Sequence, residues 1–97
     1  MVLINVDLHG IQLSGSSLQF ANLTRSRLEH ADLSGANLAH ATLAGTHLSG
    51  ATLTGAGLQY AYLTEADLFR TDLTAANLQG AVLTNACLTE ANFETAD

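Results

Sequence analysis

The sequence predicts an all-β solenoid, a chain wound from short units that each turn a corner. Three observations carry this. Every fifth residue is Leu, from Leu3 to Leu88, with Phe93 as the last: nineteen positions, eighteen of them Leu. Two places before most of these stands Ala, or occasionally Thr. The last place of many units is Gly, at 10, 15, 35, 45, 50, 55 and 80.

A period of five suits neither regular element. Five helical residues turn through about 140°, which scatters the leucines around the cylinder. In a strand, an odd step sends successive leucines to opposite faces. All nineteen share one interior only if the chain bends once per unit, so that stacked neighbours complete a core no single unit can bury.

Each position of the unit fits that reading. From Ala31 onward the place two before the centre, Ala at 31, 36, 41, 51, 56, 61, 66, 76, 81, 86, 91 and 96 with Thr46 and Thr71 as exceptions, is a second inward position where only a small side chain fits. The place before the centre is mixed and largely polar (Asp32, Asn37, Thr42, His47, Tyr62, Asp67, Cys87) and should face outward. Glycine closes the unit because it enters bends without steric penalty.

Units such as Ala31-Asp32-Leu33-Ser34-Gly35, Ala36-Asn37-Leu38, Ala66-Asp67-Leu68 and Ala76-Asn77-Leu78 resemble the pentapeptide-repeat proteins. The resemblance implies a right-handed quadrilateral β-helix, with one pentapeptide per side and about twenty residues per coil. On that basis residues 1–97 form a single domain of about five coils, roughly 23 Å tall at a strand spacing of about 4.8 Å.

Along the chain, residues 1–28 are the least regular. Met1, Val6 and Ile11 stand where Ala stands later, and the first coil reads as a bulkier cap or as a surface that stacks on a partner. Residues 31–90 are the purest repeat. The segment from Ala91 to Asp97 finishes in register with no covering element, which suggests an end-to-end homodimer or an edge protected by Glu90, Glu94 and Asp97.

If a coil is twenty residues, residues twenty apart stack. Phe20, His40 and Tyr60 then form an aromatic column with Tyr62 beside its end, a candidate protein-binding surface, since Tyr and Trp are enriched at interface hot spots. Asp7, Arg27, His47 and Asp67 form a second column, and His30, Arg70 and Glu90 share a third. His9 and His30 come near each other, but two histidines without a Cys or carboxylate at fixed spacing make a poor metal site.

Net charge is −6 with three Arg and no Lys, which argues against direct nucleic-acid binding. No apolar run approaches membrane-spanning length, and the first residues lack the pattern of a signal peptide. One cysteine, Cys87, excludes an internal disulfide and favours the cytoplasm. It has no constellation to activate it, and no phosphate-binding or metalloprotease motif is present. No catalytic, cofactor or metal residue is expected, and the protein should not be an enzyme. The sequence favours an interaction scaffold for a protein partner. The alternative rests on the same resemblance, because some pentapeptide-repeat proteins mimic DNA and modulate DNA gyrase. This chain is acidic and is expected to be rod-like, as that reading requires, with net −1 over residues 1–48 and −5 over 49–97.

Overall fold

The computed structural model describes residues 1–97, and the five-residue period appears in it as geometry. Parallel bridges join residues twenty apart without a slip, from Val2 with Asn22 to Asp72 with Asn92. One coil is therefore twenty residues and contains four bends, one per unit. We number the walls by the first coil: wall 1 holds residues 1–5, wall 2 residues 6–10, wall 3 residues 11–15 and wall 4 residues 16–20. Each wall continues every twenty residues.

The unit around Leu38 shows the bonding. Leu38 N donates to Gly57 O at 2.7 Å and His40 N to Gln59 O at 2.8 Å, both one coil ahead. Thr42 N donates back to Ala21 O at 2.8 Å, and Ala41 N closes the bend onto Leu38 O at 3.0 Å. Two of every five residues make the corner, so each wall gives only one bridge residue to its ladder. The expected β character is thus present as isolated bridges, and no continuous strand forms.

Inside, the leucines from Leu18 to Leu73 are buried with the alanines two places before them. The inner position also takes hydroxyls. Ser26, Thr46 and Thr71 are buried, and each donates to the carbonyl of a leucine one coil below: Leu3, Leu23 and Leu48 respectively. A buried hydroxyl with a partner avoids the desolvation cost of an unpaired one.

The first coil does not form a distinct cap. Its turns and bridges match those of later coils, and Leu3, Leu8, Ile11 and Leu13 are only half-buried. These four side chains pack against the core above them but leave the underside open. The last coil is similar, with Leu88 40% exposed. The extents are 30 × 24 × 24 Å, so the chain is a block and not the rod implied by the sequence. Five coils at about 4.8 Å each reach about the width of one four-sided coil. No helix is long and apolar enough to cross a membrane.

Candidate interaction wall

The corners position the candidate residues. All nineteen unit-closing residues have positive φ, between 55° and 72°, and twelve of them are not glycine. Positive φ at the third residue of a four-residue bend is the type II pattern. Glycine is therefore favoured at these corners but not required there.

A second constraint places some of the glycines. Side chains at the corners lean toward the next coil. A Cβ on Gly50 would lie 2.6 Å from His30 Nδ1, and one on Gly80 would lie 2.5 Å from Tyr60 Cδ1 and Cε1. At Gly45 the Arg25 Cγ would be 3.2 Å away. At Gly10, Gly15, Gly35 and Gly55 nothing lies within 4 Å. At Gly45, Gly50 and Gly80 glycine follows a large residue by twenty, and that side chain lies across it.

In one corner column, where aromatic residues follow one another in place of glycine, the rings stack. Phe20 and His40 have centroids 4.9 Å apart at 7°, and His40 and Tyr60 lie 5.2 Å apart at 15°. These distances follow the coil spacing and fall in the favourable range for offset aromatic pairs. The column continues over Gly80, where the Tyr60 ring lies flat. Phe20 is 72% exposed and Tyr60 50%. Tyr62 is 54% exposed but stands outside the stack. It occupies the bridge column of wall 1 between Thr42 and Val82.

The charged columns are also placed. Arg27 pairs with Asp7 at 3.8 Å and Glu29 at 3.3 Å, and Arg70 pairs with Glu90 at 3.1 Å. All but Glu29, which is half-buried, are solvent-exposed, and such surface pairs contribute about 0–1 kcal/mol each. His30 lies across Gly50, on the side away from His9, so the two histidines are not brought together.

One role of the place before the centre is not apparent from its polarity alone. Its Asn and Asp side chains accept the backbone N–H two residues on. Examples are Asn37 from Ala39 at 3.1 Å, Asp67 from Phe69 at 3.0 Å and Asn92 from Glu94 at 2.9 Å. They tie the start of each bend as Asx turns. Asp32 and Asp72 also accept from the Ser34 and Thr74 hydroxyls. Those hydroxyls, and then the backbone N–H groups of the same residues, hold both carboxyls below the ordinary value of 3.8.

Sorting the ionisable residues by wall reveals a separation that dividing the chain into halves conceals. Walls 2 and 3 carry Asp7, Glu29, Asp32, Asp67, Asp72, Glu90 and Glu94 together with Arg27 and Arg70, net −5. Wall 4 carries no Asp, Glu, Lys or Arg through its four full units, and only Asp97 stands on its incomplete last one. Wall 1 has one charge of each sign, Arg25 and Glu65, at its far corner. The aromatic column stands where walls 4 and 1 meet. Around it are amides and small side chains, among them Gln19, Asn37, Thr42 and Gln79.

Comparison with known proteins agrees with the repeat geometry. A family model described as pentapeptide repeats, in eight copies, matches residues 2–29, 31–68 and 66–97. Three solved structures are similar. One is HetL, a pentapeptide repeat protein involved in heterocyst differentiation regulation from the cyanobacterium Nostoc sp. strain PCC 7120: 34% identical, TM-score 0.86, covering 97% of this chain and 47% of that one. Another is a pentapeptide repeat protein of the Arabidopsis thaliana thylakoid lumen: 34% identical, TM-score 0.93, covering 96% and 65%. A third, from Nostoc PCC 7120, is 47% identical with TM-score 0.77, covering 77% and 62%. The chain thus spans about half to two thirds of the length of these proteins. No curated protein matches.

Proposed function

The chain belongs to the pentapeptide-repeat family, and from that premise we propose that it is a non-enzymatic scaffold, a right-handed four-sided β-helix that binds a protein partner through the charge-free surface where walls 4 and 1 meet. The observation that carries this is the position of the stacked column, Phe20, His40 and Tyr60, with Tyr62 beside it, on the part of the surface that lacks charge. Depletion of charge combined with exposed aromatics is the compositional mark of an interface core. The rings are held at the coil spacing by a backbone bonded on both sides, so little side-chain freedom is left to lose on binding. Tyr60 and Tyr62 each present an apolar body and a hydroxyl, which suits a hot spot.

The same reading puts the protein in the cytoplasm, in keeping with a single cysteine, exposed and unpaired. The alternative, DNA mimicry toward gyrase, has less support. Asp7, Glu29 and Glu90 are paired with arginines, seven of the nine acids are divided between two walls with Glu65 and Asp97 on the others, and the block is little longer than wide. Inhibition of gyrase supercoiling by the purified chain, lost at high salt, would favour that alternative.

The test is a photo-crosslinking amino acid placed at Tyr62 and, as a control on wall 3, at Gln12, in cells of the host. The reading expects adducts from position 62 and few from position 12. Equal yields, or adducts from position 12 alone, would refute it.

A further inference from the structure

Resting on that reading, we propose that the partner seated on this surface is a second copy of the chain, joined side by side by a two-fold axis and not end to end. In an isologous contact a surface meets itself, so a charge near the axis meets its own image, and like charges brought together across an interface strongly disfavour the contact. Walls 2 and 3 hold net −5 of the total −6 and would repel their copies. The edge where walls 4 and 1 meet, together with the uncharged full units of wall 4 beside it, is the lateral surface without this penalty, and pairing there leaves walls 2 and 3 of both copies on the outside.

Hydrogen-bonding capacity points the same way. The polar groups of the junction are mainly amides and hydroxyls, as at Gln19, Asn37, Thr42 and Gln79. Each both donates and accepts, so each can pair with its own kind. A carboxylate can only accept, and the charged walls are lined with carboxylates. The size is also adequate. Extents of 30 × 24 × 24 Å limit the face each copy can present to roughly 24 × 24 Å, so the pair removes at most on the order of 1,200 Å², the lower end for specific complexes. The dimer should therefore be reversible and concentration-dependent.

Sedimentation of the purified chain across a concentration series tests this, with three wall variants and a fourth, Leu88→Arg, in the last coil. Phe20→Arg and Tyr62→Arg put a charge on the junction. The first is compatible with its corner, because Arg25 and Arg70 adopt the same positive φ at equivalent places. Gln12→Arg puts the same charge on wall 3. The expected result is a mass rising from 10.1 kDa toward twice that, association weakened tenfold or more by Phe20→Arg and Tyr62→Arg, and little change with Gln12→Arg. Added salt should leave the dimer intact or strengthen it, because it screens the outer acids.

A monomer at every concentration up to about 1 mM, far above the micromolar range in which specific complexes of this size associate, would overturn the proposal. So would a dimer broken by Leu88→Arg at the open end but unaffected by Tyr62→Arg, which would mean end-to-end stacking. The crosslinker at Tyr62 separates this failure from that of the broader reading. Adducts to a different protein, with the purified chain monomeric, overturn self-pairing and leave the interaction surface standing. No wall-specific adduct, with a monomer, overturns both.

Discussion

Replacing Gly80 with Ala should destabilise the protein more than replacing Gly35 with Ala, although both glycines occupy the same corner position. Their φ values are 72° and 65°, so each alanine bears the left-handed backbone penalty of about 1 kcal/mol. At Gly35 nothing lies within 4 Å of the new methyl, and the cost stops there. At Gly80 the methyl would meet Tyr60 Cδ1 and Cε1 at 2.5 Å. The ring must swing away, and its stack on His40 (5.2 Å between centroids) is lost, adding about 0.5–1.5 kcal/mol. For a domain of this size, 1 kcal/mol lowers Tm by about 4–8 °C, so Gly80→Ala should melt several degrees below Gly35→Ala. Thermal melts followed by circular dichroism give the comparison, and a Tyr60→Ala background isolates its cause: there the two alanines should cost the same. Equal losses in the parent protein would show that Tyr60 does not lie across Gly80 and would refute the explanation for the corner glycines.

Further outcomes follow from the interior and from the bends. Ala56→Phe should prevent folding or cost well over about 3 kcal/mol, because a buried position with no free space cannot absorb a ring; a melt like the parent's would show that Ala56 does not point inward. Thr46→Val removes the hydroxyl that donates to Leu23 O at 3.0 Å, but that carbonyl still accepts Ser26 N. The loss should therefore be about 1 kcal/mol, read from urea melts, and a loss above about 3 kcal/mol would contradict the arrangement. Asp32 and Asp72 have folded pKa values lowered by their Ser34 and Thr74 hydrogen bonds. Their contribution is fully present above 3.8, the ordinary value, and fades as pH falls through the lower folded values. The stability gap between the parent and an Asp32→Ala, Asp72→Ala double variant should thus be constant near neutrality and shrink below about pH 4. A gap that widened on acidification would reverse the assignment.

Most of the architecture is legible in the sequence because its period is incompatible with helix and strand. Leu33, Leu53 and Ala56 can be placed inside from spacing alone, and the Phe20–His40–Tyr60 column follows once a coil is twenty residues. Other features stay hidden, each for a physical reason. Position class does not distinguish Asn37, which caps a bend, from Thr42, which merely faces out, because both are polar. Gly35 and Gly80 look equivalent in the repeat, and only the residue twenty earlier separates them. Gly15 precedes Gly35 and has no side chain to lie across it, whereas Tyr60 precedes Gly80 and covers it with a ring. The sorting of charge by wall is available in the numbering, but dividing the chain into halves cuts across every wall and conceals it. The rod expected from an acidic solenoid is wrong because five coils are about as tall as one coil is wide.

The central claim is that the surface from Phe20 to Tyr62 is where this scaffold is read. Hydroxyl-radical footprinting tests it most directly, on the chain alone at low concentration and then in host extract. The account predicts protection of Phe20, His40, Tyr60 and Tyr62, with Phe69 and Cys87 on wall 2 labelled as before. Protection confined to Phe69, Cys87 and their charged neighbours, with the aromatic column still fully reactive, would contradict it.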